Sequence, residues 1–533
     1  MATTFFPITA PAYRLRLPQD GPLIGATSGS DDGKSVITTL FATPDDSESD
    51  PALALLASYL DAGGKRQFAG AVRTQHPDDP KARAPYFVLN CELPVVEFAK
   101  GHIKLEVLTL HEIKTGGTVF SLPSPKGLDK LLKSGIGYDE LKKTLETRLQ
   151  ENQTMLDDPK PESHSFERRS DRSLDEAVVT LRLPPKKEDV DEFKFIATTC
   201  RYPGFAFESQ RVDAASFDII AKEHSDASGL LMLGDQIYAD ATANLFDNLT
   251  SIEKFQARYH KMFRSPGFAK TVRAIPCYMT GDDHEFSDSW SVPDDSLRKE
   301  LFAAAQQSYG IYQLSHSPFK GKLDTPPFDY FFTSGPVAVY VMDTLSNRNT
   351  QVPGEETIVS ADQLAQFKTW LHTGDGFEYV ILASGGVVAP GFKAALDSSS
   401  ATDVSRAQGL ENWQAFNRQR IALLDIIADC KNKKILLVSG DYHCAAMASI
   451  KNKDGNEIAK AVVVPPAYAP MRYVSKTIGM LAPFEKTEKT GGYEIALVVD
   501  GLSPPTEGSG FAVITIEKGD WVVKFETMSI ADT

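Results

Sequence analysis

Three short apolar runs of this sequence each end at a glycine that is followed at once by a carboxylate. The runs span residues 230–234, 277–281 and 435–440, and each has the length and composition of a buried strand. The carboxyl ends of strands in an α/β sheet converge on one crevice, and carboxylate, imidazole and phenol groups suit Fe, Mn, Zn, Ca or Mg. We therefore predict a metal-centred hydrolytic site. The groups that would converge there are Asp235, Tyr238, Asp282, Asp283, His284, Asp441 and His443.

Each motif taken alone also has an ordinary structural interpretation. Asp235 is compatible with a helix cap beside a packed Tyr238, and the acidic run 282–285 is compatible with a solvated loop. Several carboxylates around His284 would repel each other in a crevice unless a cation or a basic partner were present. The recurrence of the pattern at three strand ends therefore favours a functional site.

A fourth predicted strand, residues 193–199, ends at Cys200 and Arg201. Cys200 is compatible with a buried apolar thiol, the commonest role of a free cysteine, and with a thiolate ligand near a metal. Arg201 is compatible with a surface arginine and with a bidentate donor to a phosphate group. The sequence leaves both alternatives open.

Composition limits the classes of protein and of partner. The chain has 533 residues, a net charge of −15 and five scattered cysteines. Two domains are expected at this length, a disulfide framework is not, and the acidic charge disfavours a nucleic acid duplex as partner. No apolar run reaches the ~20 residues of a membrane span, and the N-terminus lacks the pattern of an export signal. We expect a cytoplasmic enzyme with a small substrate.

The pattern along the chain changes twice. Residues 1–155 are rich in period-two alternation, which predicts a β-rich N-terminal domain, and end in a predicted helix. Residues 156–192 are polar and predict a connector. Residues 193–533 alternate strands with helices, among them an amphipathic helix over 252–263. This alternation predicts an α/β domain with a largely parallel, covered sheet.

Four motifs, in their order along the chain, resemble those of the PhoD-like alkaline phosphatases of the calcineurin-like metallophosphoesterase superfamily. They are Cys-Arg-Tyr-Pro-Gly at 200–204, Gly-Asp-Gln-Ile-Tyr at 234–238, Asp-Asp-His-Glu at 282–285 and Ser-Gly-Asp-Tyr-His at 439–443. The resemblance covers roughly residues 193–470. It implies a sandwich of mixed sheets flanked by helices, with a dinuclear metal centre.

The resemblance also implies a role for each matched residue. Asp235 resembles the bridging carboxylate, Cys200 with Tyr238 resembles an iron-binding variant of the site, and His284 resembles the histidine that protonates the leaving oxygen. Asp283 stands where the superfamily usually has Asn, and Asp441 where it has the first of two histidines. His443 matches the second. A further histidine ligand is expected between the third and fourth motifs, where residues 384–387 offer none.

The function expected from these residues is metal-dependent hydrolysis of phosphomonoesters or phosphodiesters. Two or more metal ions are expected, with Fe and Ca favoured and Mn, Mg or Zn open. Cys200, Asp235, Tyr238, Asp283, Asp441 and His443 would bind metal, and His284 and Arg201 would act on the substrate. Two alternatives are a phosphodiesterase or nuclease-like activity on nucleotides or lipids, and a non-catalytic binding protein with a degenerate metal site.

Overall fold

The structure is a computed structural model, and two compact units, Met1–Leu183 and Pro184–Thr533, are distinguished in it. The division falls inside the predicted connector 156–192. The residues described are 12–16, 18–30, 34–44, 52–64, 66–73, 86–95, 102–113, 177–202, 214–239, 251–287, 290–291, 296–350, 355–373, 376–391, 412–469, 486–498, 506–507 and 509–528. The helix predicted to end the N-terminal domain lies outside them.

The first unit contains two antiparallel sheets. A five-stranded sheet has the order β1-β7-β4-β5 with β8 on β7, and a three-stranded sheet has the order β2-β3-β6. The strands are β1 Ala12–Arg16, β2 Asp20–Gly29, β3 Ser35–Thr43, β4 Ala52–Leu60, β5 Arg66–Arg73, β6 Phe87–Pro94, β7 His102–Ile113 and β8 Val178–Arg182.

Period-two alternation builds the core of this unit. Along β6 the side chains of Phe87, Leu89, Cys91 and Leu93 are buried and those between them are more exposed. They join one apolar cluster with residues of both sheets, as in sheets packed face to face. The β-rich character predicted for this region is confirmed. Strand β8, whose residues fall in the predicted connector, pairs with β7.

The second unit contains two larger mixed sheets. The first has the order β11-β10-β9-β22-β23 with β18 on β9, and the second has the order β12-β13-β14-β15-β17-β16-β20-β19 with β21 on β16. The strands are β9 Lys194–Arg201, β10 Gly229–Leu233, β11 Cys277–Thr280, β12 Tyr330–Ser334, β13 Val337–Val341, β14 Tyr379–Ser384, β15 Lys434–Ser439, β16 Cys444–Lys451, β17 Glu457–Val463, β18 Pro466–Tyr468, β19 Thr487–Thr490, β20 Tyr493–Leu497, β21 Thr506–Glu507, β22 Ser509–Glu517 and β23 Asp520–Met528.

Six α-helices are described, all in the second unit. Helices α5 and α6 pack apolar side chains such as Phe367 and Leu423 against Leu382 and Leu437 of the second sheet. Among the described residues, no helix is long and apolar enough to cross a membrane. The helices are α1 Ala214–Glu223, α2 Ile252–Phe263, α3 Pro266–Val272, α4 Ser296–Tyr309, α5 Ala361–Thr373 and α6 Asn417–Ala428.

The prediction of one largely parallel sheet is wrong. Strands β9, β10 and β11 are parallel neighbours in the first sheet, but β15 is parallel to β14 and β17 in the second. The sheets come together at the strand ends, where the Thr280 hydroxyl donates to the Met342 carbonyl at 3.0 Å. The motifs therefore meet across two facing sheets. Strand–helix alternation could not show this, because it carries no information on which strands pair.

Candidate functional site

Side chains from three strand ends meet at one place in the second unit. Ligand atoms of Cys200, Asp235 and His443 all lie within 4.8 Å of one another, and the three residues are buried. The Tyr238 hydroxyl lies 3.3 Å from Asp235 Oδ2 and 3.2 Å from His443 Nε2. A thiol, a carboxylate, a phenol and an imidazole thus surround one point, which we call the mixed-donor group.

Two further sets of ligand atoms continue from this group. Asp235, Asp283 and His284 form one set, and Asp282, Asp283 and Asp441 form the other, each with its ligand atoms within 4.8 Å of one another. Asp235 belongs to both the mixed-donor group and the next set, and Asp283 links that set to the last. All candidate metal ligands named from the sequence therefore lie in one continuous cluster. Asp282 belongs to it as well.

The backbone at this cluster is strained. Among the described residues, five that are not glycine have a positive φ, and four of them are candidate ligands: Cys200 at 43°, Asp235 at 56°, Asp441 at 72° and His443 at 46°, the fifth being Lys518 at 51°. This conformation is uncommon for residues with a side chain and collects at functional sites. The surrounding structure therefore holds these four residues in positions that ordinary strand geometry would not give.

Glycines let the strand ends approach this closely. A Cβ at Gly440 would collide with the Leu233 carbonyl and the Thr199 hydroxyl, and a Cβ at Gly234 would collide with Asp282. Gly234 also has a φ of 86°, which glycine adopts at no steric cost. Gly440 thus serves close packing between the two sheets, and Gly234 serves close packing between the ends of the neighbouring strands β10 and β11.

Glu285 holds the two acidic loops together. Its carboxylate accepts hydrogen bonds from the backbone N–H groups of Asp235 at 2.9 Å, Gln236 at 2.6 Å and Asp282 at 2.8 Å, and from the Gln313 side chain at 3.1 Å. The run 282–285 is therefore not the solvated loop considered as an alternative, since Asp282, Asp283 and Glu285 are buried. This positioning role was not predicted from the sequence.

Arg348 balances part of the buried negative charge. Its Nη2 lies 2.6 Å from Asp282 Oδ1, with both side chains 1% exposed, and its Nε donates to the Thr344 carbonyl at 3.1 Å. Burial raises the pKa of Asp282 to about 6, against the opposing effect of the Arg348 guanidinium. The charge of one arginine therefore does not offset the effect of burial on the pKa of this carboxyl.

Three further groups, Asp235, Asp441 and the Cys200 thiol, also have raised pKa values. Burial raises the pKa of Asp235 well above its usual range; His284 opposes the shift and Asp283 adds to it. Burial, followed by the charges of Asp282 and Asp283, raises the pKa of Asp441. Burial likewise raises the pKa of the Cys200 thiol, and Asp235 raises it further. Each shift has the direction that a bound cation would reverse.

The donor set fits a metal centre. Within the described part of the chain, the buried Oδ2 atoms of Asp282 and Asp441 have no hydrogen-bond partner, although buried polar atoms normally have one. Asp235, Asp283 and Asp441 supply the oxygen ligands that hard cations prefer, and the mixed-donor group adds nitrogen and sulfur. A further histidine ligand was expected near residues 384–387. Gly385 lies in that range and has no side chain to bind a metal, and a Cβ added to it would contact Asp282.

His284, which belongs to one of the ligand sets, and Arg201 lie in different settings. The half-buried His284 ring packs on Tyr238 with 4.2 Å between centroids. Arg201 is 3% exposed, so the surface alternative is wrong. Its Nη1 donates to the Met262 carbonyl at 3.1 Å, and its guanidinium lies over the rings of Phe217 and Phe268, 5.2 and 4.6 Å from their centroids.

Comparisons with known proteins agree with this geometry. The sequence profile described as PhoD-like phosphatase matches residues 210–491, more than half of the chain. The solved structure of PhoD superposes with a TM-score of 0.58 at 14% identity, covering 100% of this chain and 95% of that one. This similarity concerns the fold. The matched range includes Asp235, Asp283, His284 and Asp441.

Other comparisons add little. A 5'-nucleotidase from Candida albicans gives a TM-score of 0.30 at 9% identity, over 66% of this chain and 54% of that one, too low to carry an argument. No curated protein sequence matches the chain. The profile match and the candidate metal ligands support a hydrolase of the phosphatase type that acts on a small phosphoester. On this evidence the chain belongs to the PhoD-like phosphatase family.

Proposed function

We propose that the chain is a metal-dependent phosphoester hydrolase with a dinuclear centre in a calcineurin-like sandwich. The observation that carries the proposal is the convergence of four strained, non-glycine residues, Cys200, Asp235, Asp441 and His443, at facing strand ends. Such strain persists only where the surrounding structure over-determines it. Neither a helix cap nor a packed tyrosine would require it at four positions.

Two ion positions would share Asp235. Cys200, Asp235, Tyr238 and His443 would hold the first ion, and their mixture of sulfur, nitrogen and oxygen donors favours Fe over a purely hard ion. Asp235, Asp283 and Asp441 would hold the second, and their oxygen donors favour Ca, with Mn, Mg and Zn as alternatives. Asp282, bound to Arg348, would stabilise this second position.

When bound, the cations supply Lewis-acid polarisation of the phosphoryl group. The protein residues do the rest. His284, half-buried at the edge of the cluster and close to Asp235, would donate a proton to the leaving oxygen. Arg201 would offset negative charge on the substrate from its buried position beside α2. Glu285 and Arg348 would hold the acidic loops in place and do not contact substrate in this proposal.

The test is a metal-by-substrate screen. The purified protein is analysed for bound metal, and then assayed with mono-, di- and triesters of phosphate after loading with Fe, Ca, Mn, Mg or Zn. The proposal expects stoichiometric metal and hydrolysis of a monoester, a diester or both. A chain that carries no stoichiometric metal and hydrolyses none of these esters would be a binding protein. Activity on diesters alone would favour the phosphodiesterase alternative.

The first ion position has its own test, because it depends on Cys200. The Cys200→Ser variant should lose one ion selectively and bleach any colour that arises from Fe bound by Tyr238. The matched control is Cys430→Ser, since Cys430 lies beside His372 on helix α5, apart from the candidate ligands. Full metal content and full activity in Cys200→Ser would mean that Cys200 is only a packed thiol, and the argument for Fe would then fail.

A further inference from the structure

A cavity of about 300 Å³ lies beside the candidate metal centre and has the opposite charge. Four basic residues line it: Arg201, Arg258, Lys261 and Arg264. None of the described residues that line it is acidic. This concentration of positive charge occurs in a chain whose net charge is −15, so it does not follow from the average composition of the surface.

Helix α2 positions most of this charge. Its apolar side chains, among them Phe255 and Met262, are buried against the unit, which fixes the orientation of the helix. Arg258 and Lys261 are three residues apart and so share one face, and Arg264 caps the helix C-terminus. Cations are favourable near a helix C-terminus, which explains part of the arrangement.

The helix dipole does not explain why Arg201 lies in the wall of the cavity. This residue comes from the end of β9 and is buried, and its guanidinium is fixed by the Met262 carbonyl and two aromatic rings. A guanidinium is weakly hydrated and binds phosphate oxygens in a bidentate manner. The cavity therefore combines a rigid, buried cation from a strand with exposed cations from a helix. Such a combination of cations can bind an anion such as a phosphate group.

The cavity and the metal cluster share a wall. Tyr238 and Gln236 line the cavity, and the Tyr238 hydroxyl lies within 3.3 Å of Asp235 and His443. The Tyr238 side chain therefore lies between the two sites, and a molecule with one phosphoryl group at the cluster would extend past it to reach the cavity. The apolar wall formed by Ile237, Met262 and Pro266 suits a short carbon chain between the two positions.

We propose that this cavity is a second anion subsite and that the preferred substrates are small phosphoesters that carry a second phosphate group. The inference rests on the proposed function, because it assumes that the first phosphate is the one hydrolysed at the metal cluster. The volume lies at the lower end of the range for ligand pockets, which favours a small bisphosphorylated molecule over a polymer.

The test compares two substrates with the same carbon chain, propyl phosphate and propane-1,3-diyl bisphosphate, by phosphate release from the metal-loaded enzyme. The wild type should prefer the bisphosphate in kcat/KM by roughly 10-fold or more, the effect of one or more charge-assisted contacts. Lys261→Glu should remove most of that preference. Lys270→Glu is the matched control, since Lys270 is exposed on α3 and does not line the cavity, and it should keep the preference.

The outcomes separate the inference from the proposed function. Hydrolysis of both esters without a preference, or a preference that Lys261→Glu leaves intact, would overturn the inference and leave the phosphatase proposal standing. If neither ester is hydrolysed, calorimetric binding of propane-1,3-diylbisphosphonate decides the inference by itself. It should bind the wild type about 10-fold more tightly than Lys261→Glu, and equal binding by the two would overturn the subsite.

Discussion

The acidic cluster and the basic cavity share Tyr238 but are built in different ways. The cluster comes from residues that directly follow strands, with buried carboxylates such as Asp235 and Asp282 and a strained backbone at Asp235 and Asp441. Most of the charge in the cavity comes from one face of helix α2, where Lys261 is exposed and the backbone is regular helix. Rigid, buried charge thus lies next to adaptable, solvated charge.

This difference has an energetic consequence. Buried carboxylates are costly unless a cation or a hydrogen-bond donor offsets each charge, so we expect the cluster to depend on bound metal. The exposed cations of the cavity are already solvated and cost little when no ligand is present. Variants of the cluster should therefore change activity on every substrate, whereas variants of the cavity should change the choice among substrates.

The largest effect is expected for Asp235→Ala. Asp235 belongs to two of the three ligand sets, so its loss should empty both ion positions and abolish turnover of every phosphoester. Metal analysis and activity assays check this. Asp218→Ala removes an exposed carboxylate from helix α1 and is the matched control. Near-normal metal content in Asp235→Ala would mean that the cluster does not depend on a shared carboxylate.

The next effect is expected for His284→Ala, which should lower turnover by roughly 10²–10⁴-fold, the range for a lost general acid. The loss should be smaller for a nitrophenyl ester, because a nitrophenolate leaves without protonation. Metal content should stay close to that of the wild type. Since His284 also lies in one ligand set, the alternative is a ligand role, which would show as loss of metal and as equal losses for good and poor leaving groups. His372→Ala, on helix α5, is the control.

A third prediction separates the pH response of the fold from that of the cluster. Burial lowers the pKa of His316 to about 3 from the ordinary 6.5. The unfolded chain therefore binds a proton that the folded chain excludes, so the stabilisation is complete above pH 6.5 and is lost as the pH falls toward 3. Between pH 7.5 and 5 this residue should account for about 2 kcal/mol of lost stability.

The measurement is urea unfolding of the wild type and His316→Gln at both pH values. The variant should lose less stability than the wild type on acidification, whatever its stability at pH 7.5. An identical loss in the two proteins would assign the acid sensitivity to other groups, with the carboxylates of the cluster as the first candidates.

Local patterns were sufficient for much of the fold and for most of the cluster. Helix α2 was predicted with the bounds that the structure gives, 252–263, because helical periodicity is a local signal. The Gly-Asp pairs marked strand ends for the same reason. They identified Asp235, Asp282 with the adjacent Asp283, and Asp441 without any knowledge of strand pairing.

Non-local relations could not be predicted in this way. The sequence does not show that β15 lies in a different sheet from β10, or that Arg348 pairs with Asp282, 66 residues away. In the sequence, Glu285 is indistinguishable from the other acidic residues of its motif. In the structure, its carboxylate accepts hydrogen bonds from the backbone of two loops. These relations depend on how separate strands pack, which periodicity does not encode.

The cavity was not predicted for a different reason. Arg258 and Lys261 fall on the polar face of an amphipathic helix, and such faces are usually just solvated. Only the approach of the buried Arg201 from another element turns that face into a pocket wall. A signal existed in the spacing of the two residues, but nothing in the sequence connected it to the strand that ends at Arg201.

The smallest expected effect is the response of kcat/KM to salt. It is also the most direct test of the comparison between the acidic cluster and the basic cavity. Exposed charges are screened within about 10 Å at 0.1 M ionic strength and about 3 Å at 1 M, whereas buried charges are screened much less. Raising NaCl from about 0.05 to about 0.5 M should therefore lower kcat/KM for the bisphosphate by roughly 3–10-fold, through Lys261 and Arg264. The monophosphate, bound mainly at the buried cluster, should respond less.

In Lys261→Glu the salt dependences of the two substrates should become similar, because the attraction by the exposed charge is gone. Equal slopes for both substrates in the wild type would mean that the exposed charge of helix α2 takes no part in binding, and that the two regions are adjacent without acting on the same molecule.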